Sequence, residues 1–462
     1  MLLITHAVIN TMTDEGTISD GYIICENDRI IEVGNMIDFN QNHNKVEGIA
    51  CDVIDAAGAV LFPGFIDAHS HLGLFNDSLD VEGSDGNEMT DPITPELRAV
   101  DGIHNGDVCF REAYEGGVAL VMTGPGSGNV LGGQFALIKT YERTVDRALI
   151  HSYAAQKAAF GENPKRVYGK DNKSPQTRMA TAALLRESLW KALDYKDKWD
   201  KYHLDLEQYD QDLKVFEDAS AIKAADVAEE ASAEVSEVRV DEDRPERPER
   251  PDKDLQCESL LPLIDGSIPL KIHAHRQDDI LTAIRVCNEF SLKYTLEHCT
   301  EGHLIADILS EEYHAGQNEQ RGIGMPNGKG GQLLGIIVGP IIGDRSKPEL
   351  SNLTIKTAGV LRRAGLPVAI MTDHPCVPQQ YLALSAAVSV KGGMTPEEAI
   401  QGITTIPARI LGVDSDFGSI ESGKMADFTL FDRDPFEYTS RVIMFVGAGK
   451  VRFDNRQNAS DY

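Results

Sequence analysis

Positive charge is scarce in this 462-residue sequence: 44 Lys and Arg stand against 73 Asp and Glu, a formal net charge of −29. Nucleic acids and anionic membranes are held by basic patches, so neither is an expected partner. The overall sign says little about a substrate, because the field inside a site can oppose it. Paired cysteines are also missing. The seven cysteines are scattered with no CxxC, which suits reduced thiols in a cytoplasm better than a disulfide framework. Residues 1–10 carry no basic segment and no long apolar stretch of the secretory kind. No apolar run approaches the length that spans a bilayer. No internal repeat of fixed period is evident. The expectation from these absences is a soluble, cytoplasmic protein.

The composition itself is globular, 42% hydrophobic and 25% charged, with 41 Gly and 20 Pro to punctuate turns. Short runs of β-formers occur near the start, at 7–9, 21–24 and 29–33, and again near the end, at 427–431, 442–446 and 450–453. Strands at both termini predict one small β-domain assembled from both chain ends. Between them, apolar runs alternate with helical patterns, the signature of parallel βαβ units. The expected strands are 60–62 leading to Asp67, then 118–122, 269–272, 293–296, 335–338 and 367–371. Residues 134–159 must hold one or two more. Helices are expected at 105–115, 278–289 and 352–364. A highly charged segment at about 194–254 breaks the pattern and reads as a solvated insertion. Residues 189–231 suit an exposed helix or helical pair. The Pro-charge tail after them cannot bury enough surface to fold, and predicts a disordered or extended linker.

Histidines and an aspartate fall at the C-terminal ends of the expected strands, where a parallel barrel gathers its active site. His69 and His71 lie in Gly64-Phe65-Ile66-Asp67-Ala68-His69-Ser70-His71. On an extended chain they point to the same side, so both imidazoles reach one metal. His273 and His275 close the run 269–272, His298 follows Leu296-Glu297, and Asp373 follows Met371-Thr372. Each alone suits a satisfied polar residue at a strand end; together they supply the three to five N/O ligands of a metal site. The loop 124–134 is glycine-rich and lets backbone approach a ligand closely, but it lacks the ending of a phosphate-binding loop. Arg166 and Tyr168, in the loop 161–169, and Arg276 are candidates to hold a substrate carboxylate. Cys299 and Cys376 neighbour site residues and read as buried, inert thiols.

These pieces resemble the amidohydrolase superfamily, within its imidazolonepropionase-like and metal-dependent dipeptidase branch. The matching motifs are Phe62-Pro63-Gly64-Phe65-Ile66-Asp67-Ala68-His69-Ser70-His71, Lys271-Ile272-His273-Ala274-His275, Leu296-Glu297-His298 and Met371-Thr372-Asp373-His374-Pro375. Met394-Thr395-Pro396-Glu397-Glu398-Ala399-Ile400 and Gly418-Ser419-Ile420-Glu421-Ser422-Gly423-Lys424-Met425-Ala426-Asp427-Phe428 continue the match. The resemblance spans nearly the whole chain apart from the charged insertion. With the strand pattern it implies an α/β fold: a distorted (β/α)8 TIM barrel over 59–414, and a small β-sandwich domain built from 1–58 plus 415–462.

The resemblance implies roles residue by residue. His69, His71, His273, His298 and Asp373 match metal ligands, with His275 lining the pocket. Lys157 matches best the lysine whose carbamate bridges a second metal when one is present, so one or two divalent ions per chain are implied, Zn2+ by default. The implied reaction is hydrolysis of an amide or cyclic-amide C–N bond by a metal-activated water. Asp373 would move the proton, and His275 and His298 would polarise the substrate's oxygen. His374 joins Arg166, Tyr168 and Arg276 as a substrate-binding candidate. The expected partner is a small-molecule substrate bearing a carboxylate, with a homo-oligomer as the expected assembly. Two alternatives stand beside this reading: a deaminase on the same fold, and a metal-free scaffold. His275 stands where deaminase relatives usually carry Glu, and the complete ligand set argues against a scaffold.

Overall fold

The structure is a computed structural model describing residues 1–41, 51–77, 80–230, 244–317 and 330–456. Its strands form two eight-stranded sheets. The first is built from both chain ends. The start supplies β1 (Leu2–Asn10), β2 (Thr17–Glu26), β3 (Arg29–Asn35), β4 (Asp52–Asp55) and β5 (Val60–Pro63). The second sheet comprises β6 (Phe65–Ser70), β7 (Val118–Thr123), β8 (Leu131–Lys139), β9 (Leu149–Ala159), β10 (Leu270–Ala274), β11 (Lys293–His298), β12 (Gln332–Val338) and β13 (Val368–Ile370). The chain then returns to the first sheet with β14 (Phe428–Phe431), β15 (Val442–Gly447) and β16 (Lys450–Asp454).

The two ends of the chain meet where β14 runs antiparallel to β5, pairing Phe428 with Pro63 and Phe431 with Val60. Side chains from both ends, among them Ile4, Ile23, Leu61, Phe428 and Met444, fill a core of their own. The chain leaves this sheet at Gly64. A Cβ there would meet the Ala119 methyl at 2.5 Å, so only glycine lets the strand cross so close to β7. The run 60–62, expected as the first barrel strand, therefore belongs to the other sheet, and the barrel begins at Phe65.

Strands of the second sheet follow one another in chain order and nearly close into a barrel. β6, β7, β10 and β13 are buried at every position, which explains their continuous apolar reading. Closure comes beyond β13: Asp373 N–H donates to the His69 carbonyl at 3.2 Å, and His71 N–H to the His374 carbonyl at 3.0 Å. Residues 134–159 yield two strands, and β8 runs antiparallel to both neighbours. A parallel crossover needs a dozen or more residues. The links 124–130 and 140–148 are too short for one, so the third strand is reversed and the barrel distorted there.

The charged insertion starts with a helix, Arg178–Glu230, of 53 residues, about 80 Å long at the usual rise. Ala182, Leu185, Leu189 and Ala192 on its first turns join the main core. Beyond Tyr195 the half-buried positions include Trp199, Tyr202, Leu206, Tyr209, Leu213 and Phe216, alternately three and four apart, the spacing of one helix stripe. Residues 231–243, part of the expected linker, lie outside the described residues. The rest of the Pro-charge tail has no helix or strand, yet Pro245, Pro248 and Pro251 are each half-buried. Their three-residue period is that of a polyproline II helix, which brings all three to one face. The Arg250 guanidinium lies 5.3 Å from the Trp199 ring centre, so this part of the tail runs extended against the long helix. Among the described residues no helix is long and apolar enough to cross a membrane.

Candidate active site

Two cavities stand out. One of about 700 Å³, lined by Met12, Phe62, Arg409 and Lys424, holds none of the strand-end histidines. The other, about 560 Å³, is lined by His71, His273, His275, His298 and Asp373. The chemistry lies in the second.

Strand geometry delivers these groups to one place. His69 and His71, two apart at the end of β6, face the interior together. The His69 Nδ1 lies 2.8 Å from Glu297 Oε2, and the His71 Nδ1 donates to the Gly124 carbonyl at 2.7 Å. Those bonds leave the Nε2 atoms of both rings facing Asp373, whose Oδ1 is 3.4 Å from His69 and 3.2 Å from His71. His298 Nδ1 donates to the Gly339 carbonyl at 2.9 Å. His275 Nδ1 lies 2.8 Å from Thr300 Oγ1, and its Nε2 is 3.7 Å from Glu349 Oε1. Lys157 Nζ lies 3.5 Å from His69 Nε2.

Backbone strain helps assemble the set. His298, Cys299 and Asp373 have φ of 66°, 50° and 54°, each costing on the order of 1–3 kcal/mol for a non-glycine residue. In a regular strand His298 would face away from its neighbour Glu297. The left-handed turn lets both point inward. Such strain persists only where surrounding contacts over-determine it, and it concentrates here at two of the candidate ligands.

Burial sets the protonation states. It lowers the pKa of His69 to about 4 and of His275 to about 3, and holds His273 and His298 well below the ordinary histidine value, so the imidazoles are neutral donors. Lys157 is brought down by burial to about 8. Burial raises the Asp373 carboxyl, but the surrounding histidines, His298, His69 and His71, win and keep it well below the usual carboxylate range.

The donor atoms of His273, His275 and His298 lie within 4.8 Å of one another, as do those of His69, His298 and Asp373. Among the described residues His298 Nε2 and His273 Nδ1 are buried without a hydrogen-bond partner, a cost of about 1–3 kcal/mol each if left so. Neutral imidazoles and an ionised carboxylate, gathered in two groups that share His298, fit a divalent cation.

Other expected residues fall elsewhere. Arg166 is exposed on the helix Glu162–Gly169. Tyr168 is buried, its hydroxyl donating to the Asp91 carbonyl at 2.7 Å. Arg276 is bound to Asp278 at 2.9 Å. None of the three lines the cavity, because each side chain is satisfied by, or turned toward, other surroundings. His374 is buried beside the site with neither ring nitrogen partnered. Cys299 is buried as expected, but Cys376 is exposed at the cavity. In the glycine-rich loop, Gly124 and Gly126 are required by the Phe135 ring and the Asn87 side chain, which a Cβ would meet at 2.4 and 2.6 Å.

Sequence reasoning missed the supporting shell. Glu297 is fully buried and accepts from Lys271 Nζ at 2.8 Å, from the Thr295 hydroxyl and from His69. Burial alone would raise its carboxyl; the Lys271 ammonium and His69 bring it to about 2. Asp67 binds the Thr372 N–H and hydroxyl, the Gln379 amide and the His69 N–H, tying the first and last barrel strands together. The available signal was period two: Lys271 shares a face with His273, and Glu297 is the partner of His273 across the β10–β11 ladder.

Known proteins place this architecture. The sequence profile described as the amidohydrolase family matches residues 273–458. The amidohydrolase tasK of Hapsidospora irregularis is 27% identical over 419 residues, 87% of this chain and 37% of its own length. An imidazolonepropionase of Pseudomonas savastanoi pv. phaseolicola is 40% identical over 75 residues, 16% of this chain and 19% of its own. The matched part is thus well under half the length of either relative. The solved structure of an amidohydrolase from Thermotoga maritima superposes with a TM-score of 0.77 at 31% identity, covering 98% of this chain and 100% of that one. The chain belongs to the amidohydrolase superfamily, in its imidazolonepropionase-like branch.

Proposed function

We propose that this protein is a metal-dependent amidohydrolase that cleaves the C–N bond of a small, carboxylate-bearing amide or cyclic amide. The observation that carries the reading is two donor groups sharing His298, one with His273 and His275 and one with His69 and Asp373, beside His71, with two buried imidazole nitrogens unpartnered among the described residues. A divalent cation in that set, Zn2+ by default for histidine-rich ligation, supplies the Lewis acidity that makes water nucleophilic near neutral pH.

The chain's own residues do the rest. Asp373, ionised at neutral pH, takes a proton from the attacking water at its carboxylate and passes it to the leaving nitrogen. His275 stays neutral, and with Nδ1 accepting from the Thr300 hydroxyl it keeps an Nε2–H that would serve as a donor to the substrate's carbonyl oxygen. Lys157 reaches its neutral amine form near physiological pH, the form that adds to CO2 with loss of a proton. A carbamate there would offer oxygens to a second cation, so the site would hold one or two divalent ions per chain.

The test is product release from a panel of N-acyl amino acids, dipeptides and cyclic amides by protein stripped of metal and then reloaded. Free amine or opened ring should appear with the reloaded protein and fall to background after chelation. Ammonia as the product would replace this reading with a deaminase, and turnover unaffected by chelation would overturn metal dependence.

A further inference from the structure

Lys347 lines the histidine cavity from the loop after β12, and its surroundings set it apart from the cations expected to hold substrate. It is half-buried. Its Nζ donates to Asn163 Oδ1 at 3.1 Å, a neutral acceptor. Among the described residues no carboxylate pairs with it. Of the carboxylates lining the cavity, Asp373 is turned to His69 and His71, and Asp344 accepts the Ser346 N–H at 3.2 Å.

Asn163 links this ammonium to the ligand set. It is nearly fully buried, and its Nδ2 lies 2.7 Å from Ser127 Oγ and 3.3 Å from His273 Nε2. An ammonium has three donors; one is spent on Asn163 and two remain. The Ser127 hydroxyl, which accepts from Asn163, keeps its own proton uncommitted among the described residues. Three unspent donors, two of them on the ammonium, thus stand one side-chain amide away from His273 at the wall of the cavity.

We infer that Lys347, fixed by Asn163 and flanked by Ser127, anchors the substrate's carboxylate and so sets the specificity of the site for N-acyl amino acids and related anionic amides. The inference rests on the amide-hydrolase reading of the same cavity. A carboxylate's two oxygens match the remaining Lys347 and Ser127 donors. The anchor lies on the His273 side of the cavity, so the scissile bond is held at a set distance from His273 and Asp373. Arg166 and Arg276 cannot serve this role from where they lie.

The probe is levulinate, in which a methylene replaces the scissile nitrogen of N-acetylglycine, compared with its uncharged methyl ester. Calorimetry on the metal-loaded wild type should show levulinate bound about 10- to 100-fold tighter, the value of one charge-assisted hydrogen-bonded contact. Lys347→Met should bring the two probes within about twofold, and Lys347→Arg should keep most of the preference, with equal metal content and melting temperature in all three proteins. If Lys347→Met does not fold, Lys347→Gln replaces it. No preference in the wild type, no binding of either probe, or a preference surviving in Lys347→Met would overturn the anchor. The outcomes for the two readings separate cleanly. A Lys347-dependent preference without hydrolysis of any N-acyl amino acid, dipeptide or cyclic amide would sink the amide-hydrolase reading alone. Hydrolysis equally fast in Lys347→Met would sink the anchor alone.

Discussion

Asp373→Asn is expected to lower kcat by about 10²- to 10⁴-fold, the usual worth of a general acid–base group, with a much smaller change in KM. Asparagine keeps the shape and an oxygen toward His69 and His71, but it can neither accept nor return a proton. The carboxylate is well placed for that work. It lies on the left-handed backbone at the end of the last barrel strand, with φ of 54°. Its Oδ1 stands within 3.4 Å of two candidate ligands. Neighbouring histidines keep it ionised against the pull of burial. Losing a group used only in the transition state lowers kcat and kcat/KM together. Elemental analysis of the same sample separates lost proton transfer from lost metal. Retained metal with near-normal kcat would remove Asp373 from the mechanism and leave it a ligand only.

Lys271→Met should cost about 3–5 kcal/mol of stability, the penalty for stranding one member of a buried ion pair. Both partners are almost entirely buried, 1% and 0% exposed. The Glu297 carboxylate would keep the Thr295 hydroxyl and His69 but lose its only ammonium at hydrogen-bond distance. Removing both charges in Lys271→Met/Glu297→Gln should recover part of the loss, because no unpaired charge remains inside. Thermal denaturation of the two variants against wild type reads the effect. Similar melting temperatures for wild type and Lys271→Met would show that the pair is not coupled. The sign of the pH dependence follows from Glu297, whose folded-state pKa of about 2 lies below its ordinary value. Its contribution is present above the ordinary carboxylate range and is lost as pH falls toward about 2. Glu297 also fixes the His69 ring, so Glu297→Gln should weaken metal binding by about 10- to 100-fold.

What could be read from the sequence follows from what strands do to side chains. His69, His71, His273, His298 and Asp373 were visible because each ends an apolar run, and parallel barrels bring such ends together. The sheet shared by the two chain ends was visible because short runs of β-formers at both ends are cut by turns. Lys271 and Glu297 were hidden because a charge inside an apolar run has meaning only once the opposing strand is known, and pairing is a tertiary fact. The reversed β8 was hidden because the short links on either side matter only when its neighbours are identified. Arg166, Tyr168 and Arg276 were placed by proximity in sequence, whereas their partners in space decide where they point. Lys347 sits in a loop with no periodicity; only the cavity reveals it. The half-buried prolines at 245, 248 and 251 escaped for a similar reason, since the contact beside them, Arg250 over Trp199, joins residues about fifty apart.

Metal content tests the central claim most directly. Elemental analysis of purified protein, before and after reloading with Zn2+, Mn2+ or Fe2+, should find at least one tightly held divalent ion per chain. The paired change His69→Ala/His71→Ala should hold less, and Lys157→Ala should hold fewer ions than wild type if its carbamate bridges two. A folded wild-type protein that retains none of these metals after reloading would contradict the account and leave the five converging ligands without a catalytic purpose.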